Sequence, residues 1–368
     1  MNKAERKSNF DMMRVLCIFL IIMHHYVTHG AYYFSEYIPQ KLFYGATGIW
    51  GLTGVLGFIM VSSHFLYSHG SFSIQKVLRT VFETSFFSTG ITIALYLPGL
   101  IEIGNSYILQ CMFSVFTKQY WFITYYVIFY LLTPFLKLLC DHISIKNHRM
   151  LLIVFFIVAF PLNNIFHVEF LSRLGIFVYT YILVAYFIRV PDNFIQRHYK
   201  LLSAAVFSIT TVAVCLAIYL NRSGNDINYS NRIYDISALS STLMLLSAVC
   251  LYFIFKNLNV RYSKIWYFFG SSTLGIYLIH EGSLHYFLFN RILKRSAVYD
   301  MTYGPVIYII SCIGVLIGCA LIYKFFEFIL SKTVYDLSNK YLKRFYTAFD
   351  NRYVPKAVPD NAETSDAK

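Results

Sequence analysis

The stretch FDMMRVLCIFLIIMHHYVTHG, residues 10–30, puts Asp11 and Arg14 at the opening of an apolar run and His24, His25 and His29 inside it. Ionisable groups are costly in a hydrocarbon interior and face a bundle core or a cavity when they occur there. Arg14 and His25 are eleven residues apart. At about 100° per residue they share one helix face, about 16 Å apart along the axis. His29 joins that face, while His24 points aside. A neutral imidazole can take a proton from a hydroxyl, and Arg14 could bind phosphate. The alternative is an interfacial Arg with histidines hydrogen-bonded between helices.

A second group lies in SHGSFSIQKVLRTVFE, where Lys76 and Arg79 sit one turn apart at the start of an apolar run. Two cations on one helical face suit a phosphate-bearing ligand. Ordinary anchoring by basic residues explains them as well, and Glu83, four residues after Arg79, can pair with it. A third group is SSTLGIYLIHEGSLHYF, with His280 and Glu281 in an apolar run. Met12 to His25 and Tyr267 to His280 are both thirteen residues. If both helices run in the same direction, the two histidines lie at similar depth, about 20 Å from the membrane edge where their helices begin, and could face one another across one site.

These residues are carried by a chain that is 57% hydrophobic and only 13% charged. Apolar runs of about 20 residues, the length that crosses a bilayer, recur along it. The expected fold is all-α: a polytopic membrane protein of about ten helices, at residues 12–30, 47–69, 79–99, 120–139, 149–166, 173–189, 199–220, 237–255, 267–289 and 304–323. Most of the 31 Lys and Arg residues fall on one side of such a bundle, so the positive-inside rule places both termini in the cytoplasm. The dissenting loop is 290–303, with Arg291, Lys294 and Arg295. It is either a missed span or an outer loop that binds an anion.

The net charge of +13 is spread over short loops, which is a topology signal and argues against nucleic acid as a partner. The seven cysteines form no CxxC and read as core residues. The basic N-terminus reads as an anchor and first span rather than a cleaved signal. Residues 1–330 form the expected transmembrane domain and 331–368 a cytoplasmic tail, whose VPKAVPDNAETSDAK end has a disordered composition. There is no Walker motif, no GxGxxG and no Cys or His cluster with zinc spacing, so neither a metal nor a bound cofactor is expected.

With these residues in place, nearly the whole chain resembles the membrane acyltransferases of acyltransferase family 3, which O-acylate cell-surface glycans. FDMMRVLCIFLIIMHH looks like the family's Arg, ten residues and a His; GVLGFIMVSSHFL looks like its Gly-Val, Phe, Ser-Gly-Phe-Leu helix; WFITYYVIFYLLTPFL and STLGIYLIH match two further spans. The resemblance implies that His25 is the catalytic His with Arg14 as its motif partner. It also implies that KVLR, with Lys76 and Arg79, stands where the family has an RxxR associated with acyl-CoA. Trp121 and Tyr125 fall in a matched stretch and are expected to line the site or to anchor the interface. Ser62-Ser63 replaces the family's Ser-Gly and is followed by His64, which either contacts the donor or packs. Lys76 replaces an Arg and lacks its bidentate fork.

The expected function is O-acyl transfer, acetyl being the expected group, from cytosolic acyl-CoA to a hydroxyl of an extracytoplasmic glycan or its lipid-linked precursor. The resemblance implies a bacterial cytoplasmic membrane, and no hydrolase-fold extension is expected. A polysaccharide exporter or flippase built on the same helices is the other reading; it requires broken helices at the membrane midplane.

Overall fold

The computed structural model describes residues 7–28, 37–70, 72–104, 106–166, 171–220, 238 and 240–355. Among the described residues the chain is helical and has no β-strand. The helices are α1 (Asn9–Thr28), α2 (Ile38–Gly48), α3 (Gly51–His69), α4 (Ile74–Tyr96), α5 (Tyr107–Met112), α6 (Trp121–His142), α7 (Ile145–Ala159), α8 (Pro161–Phe166), α9 (Arg173–Arg189), α10 (Phe194–Leu220), α11 (Thr242–Asn257), α12 (Lys264–His280), α13 (Ser283–Tyr286), α14 (Arg295–Val298), α15 (Gly304–Leu330) and α16 (Asp336–Tyr353). Two π-helical turns, Phe287–Ile292 and Ser331–Tyr335, join α13 to α14 and α15 to α16.

Five helical stretches are long and apolar enough to cross a membrane: Asn9–Thr28, Ile38–His69, Trp121–His142, Phe194–Leu220 and Gly304–Tyr353. The remaining apolar runs also hold helices, but these are shorter, less apolar or interrupted. The run at 149–166 breaks at Phe160, ahead of Pro161. His29 and the chain end from residue 356 lie outside the described residues.

Helix α1 is the hub. Gly51, Gly54 and Gly57 of α3 face it at a spacing of one turn. A Cβ on Gly54 would stand 2.6 Å from the Cys17 carbonyl oxygen, and one on Gly51 would collide with His24. Small residues let two backbones close to contact distance, which is how helices associate without a hydrophobic driving force. Gly270 makes the same close approach between α12 and Asp11, and Gly275 between α12 and Tyr323 of α15.

Helices α1, α3, α9 and α11 are buried around much of their circumference. The outer helices carry exposed apolar rows instead, such as Ile153, Val154 and Ile157 on α7 and Ile310, Ile313, Ile317 and Leu321 on α15. In water such rows would be association surfaces; in a bilayer they meet lipid. This inversion suits the all-helical membrane architecture that the composition foretold.

The run at 267–289 is not one span. Helix α12 stops at His280, Glu281 is extended (φ −97°, ψ −175°), and Gly282 takes a left-handed φ of 65° before α13 begins. An apolar run hides such a break because its side chains remain hydrophobic on both sides of it. Beyond it, 290–303 is not a span but a folded loop, exposed over most of its length. The chain folds back through the π turn and α14, burying Arg295 to 3% exposure.

Candidate active site

The break at the end of α12 meets the last turns of α1. His280 is fully buried, and its Nδ1 lies 2.6 Å from the carbonyl oxygen of Ile276. A carbonyl only accepts, so Nδ1 carries the proton and, in the neutral ring, Nε2 carries the lone pair. That Nε2 is 3.1 Å from Nδ1 of His25. His25 must therefore donate from Nδ1, which places its own lone pair on Nε2. The carboxylate of Glu281 sits beside the same Nδ1, with Oε2 at 2.8 Å. The hydrogen-bond network thus assigns one tautomer to His25, the one a general base needs. At 13% and 22% side-chain exposure, His25 and Glu281 remain within reach of a small reactant.

His285 of α13 completes the cluster, with Nδ1 3.3 Å from Glu281 Oε2. The ligand atoms of His25, His280 and Glu281 lie within 4.8 Å of one another, a spacing that could hold a metal ion. A cation there would replace the Nδ1 proton of His25. The matched depths of His25 and His280 raised the possibility that they face one another, and the structure brings them together across 255 residues of chain, with Glu281 against His25 as well.

The break is braced from several sides. Tyr120 donates from its hydroxyl to the Leu278 carbonyl at 3.1 Å and stands where a Cβ on Gly282 would fall. Ser283 is held by Thr92 of α4 at 2.6 Å and by Tyr107 of α5 at 3.1 Å. On the other flank Arg295 donates from Nη1 to the His25 carbonyl at 3.3 Å and from Nε to Asn290 at 2.8 Å. Tyr299 and Tyr308 donate to the carbonyls of Tyr26 and Met23. Arg295 and Tyr299 thus meet carbonyls that the last turn of α1 leaves open, Tyr308 adds a second donor to the Met23 carbonyl, and the cation complements the helix dipole. Tyr120, His285 and Tyr299 were not singled out from the sequence. Arg295 was named only as one of three cations in the loop 290–303, and here its guanidinium meets the His25 carbonyl.

The other residues go elsewhere. Arg14 donates to the buried Asp11 at 3.1 Å and lies 5.3 Å over the Phe65 ring. Lys76 is exposed in the first turn of α4. Arg79 is engaged by acids: Nε donates to Glu83 at 2.8 Å, Nη2 to Glu327 at 3.1 Å, and the guanidinium stacks 4.2 Å from the Tyr335 ring. Trp121 stacks under Arg173 at 4.3 Å, and it is its neighbour Tyr120 that reaches the break. Tyr125 packs partly buried against the core. His64 shares a 2.9 Å hydrogen bond with the Tyr252 hydroxyl and lies against Phe10.

A family model described as an acyltransferase domain matches residues 7–324, which takes in α1 through most of α15. The chain belongs to acyltransferase family 3. No curated protein and no solved structure matches it. As a membrane acyltransferase it carries its one histidine–carboxylate contact between distant helices, among the described residues, at the junction of α1 and α12.

Proposed function

We propose that this acyltransferase moves an acyl group, acetyl in the simplest case, from cytosolic acyl-CoA to a hydroxyl of a cell-surface glycan or its lipid-linked precursor. The observation that carries the reading is the 2.8 Å contact between His25 and Glu281. It supplies what O-acyl transfer needs, an oriented base with a carboxylate beside it. His25 Nε2 takes the acceptor's hydroxyl proton, the oxygen bonds to the thioester carbonyl, and the departing CoA sulfur leaves as thiol once the proton is returned. Glu281 stabilises the imidazolium in between, as the carboxylate does in hydrolase triads. Arg14, Lys76 and Arg79 serve the donor side. Arg79 enters this role already balanced by Glu83 and Glu327, so donor phosphates must compete with those acids or rely on Lys76.

In this reading about ten helices span the bacterial cytoplasmic membrane with both termini inside, and the site lies at the outward end of α1. No metal takes part. Transfer by purified protein is expected to survive exhaustive chelation; loss on chelation with recovery on adding zinc would reassign His25, His280 and Glu281 as metal ligands. In cells, a deletion strain is complemented with wild type or His25→Ala, and glycan esters are measured by mass spectrometry. Loss of the ester with polymer export intact is the expected result, and unchanged esters would remove His25 from the reaction.

The break at Glu281–Gly282 is also what a transporter would require. An exporter predicts the opposite pattern in the same strains: export lost and esters retained.

A further inference from the structure

The tail beyond α15 was expected only to be charged and cytoplasmic, yet residues 336–353 form a helix with three distinct sides. One side is docked. Asn339 accepts from Gln75 at 2.5 Å, Asp350 accepts from the Ile74 backbone N–H at 2.8 Å, Tyr346 is buried, and Tyr353 donates to the Leu131 carbonyl at 2.9 Å. Asn339 and Asp350 are eleven residues apart, about 16 Å along a helix axis. Both touch the first two residues of α4. A helix whose ends meet the same level of the bundle lies across it, so α16 runs in the plane of the membrane.

At about 100° per residue, Leu337 and Tyr341 fall on the side away from Tyr346, and Phe345 continues their row about 100° round from Tyr346. They are 58%, 67% and 54% exposed. Lys340 and Arg344 border one edge of that row, Lys343 lies beyond them toward the docked side, and all three are exposed. The apolar row takes up where the lipid-facing side of α15 ends, at Phe325 and Phe328.

We infer that α16 is an interfacial helix that seats its Leu337, Tyr341 and Phe345 side in a leaflet of anionic lipid, with Lys340, Lys343 and Arg344 on the headgroup phosphates. An apolar row of about two turns gives binding, and flanking cations select negatively charged headgroups. The inference rests on the membrane reading of α15 and not on the transfer chemistry, so either can fail alone.

The test uses the full-length protein in phosphatidylcholine vesicles containing a minority of phosphatidylglycerol. Benzoyl-phenylalanine replaces Tyr341, or Phe325 as the control within α15, and photo-adducts are identified by mass spectrometry. Lipid adducts at 341 are expected, with phosphatidylglycerol enriched about twofold or more over the vesicle ratio. The Lys340→Glu, Lys343→Glu, Arg344→Glu variant is expected to return adducts at 341 to the vesicle ratio while still giving lipid adducts at 325, which shows that it is inserted. Three results would overturn the inference: no lipid adduct at 341 when 325 gives one, adducts to a second protein chain, or lipid adducts at the vesicle ratio in the wild type.

Discussion

At the residue scale the chemistry depends on which nitrogen of His25 holds the proton, and that is decided two contacts away. The Ile276 carbonyl fixes His280, His280 fixes His25, and Glu281 adds its charge beside the same Nδ1. Glu281→Gln keeps the shape and removes the charge. Its transfer rate is expected to fall by about 10²–10⁴, with acyl-CoA binding unchanged, as read by single-turnover kinetics and equilibrium binding. A rate within a few fold of wild type would show that His25 works without its carboxylate. The opening run of residues pointed to His25, and the equal spacing in the run before His280 suggested that the two rings could meet, as they do at 3.1 Å. It could not reveal Glu281 as the contact residue, because that depends on the left-handed Gly282 turning the chain immediately after it. Nor could it reveal that Arg79 faces Glu327 of a distant helix.

At the element scale the decisive feature is the stop in α12. Long apolar runs make helix positions legible, since lipid leaves the backbone no partner but itself. The same logic conceals a two-residue interruption braced on either side, by Tyr120 on the Leu278 carbonyl and by Thr92 and Tyr107 on the Ser283 hydroxyl. Gly282→Ala tests the stop directly. A Cβ in this positive-φ conformation costs about 1–3 kcal/mol of backbone strain and also meets the Tyr120 hydroxyl. Lower thermal stability in detergent and a reduced transfer rate are expected. Adding Tyr120→Phe should recover part of the stability and not all of it, because the strain in φ remains. A fully stable Gly282→Ala protein would mean that the break can relax into continuous helix.

At the scale of the whole molecule, Glu83 fastens three pieces together. It is buried on α4, accepts from Arg79, and takes hydroxyl donors from Tyr323 of α15 at 3.2 Å and Tyr335 of the π turn at 2.5 Å. Removing an acceptor that buried donors share costs about 1–3 kcal/mol. Glu83→Ala is therefore expected to lower the melting temperature and to free the segment after α15, read as faster hydrogen exchange across 331–353; unchanged exchange would locate the fastening elsewhere. Glu83 was legible from the sequence as a partner for Arg79 but not as a clamp, because the tyrosines that meet it lie some 240 and 252 residues on.

The separation of His25 from its partners also has a meaning in time. The chain is made from the N-terminus, at about 5–20 residues per second, and 255 residues divide His25 from His280. The first helix thus waits roughly ten to fifty seconds for them. Meanwhile α3, with Gly51, Gly54 and Gly57, arrives early and can shelter its polar residues. A ribosome-arrested chain ending before Lys264 should insert α1 and α3 as a packed pair yet transfer no acyl group. The bilayer would then hold the reactive imidazole as an unarmed part until the protein around it is nearly complete.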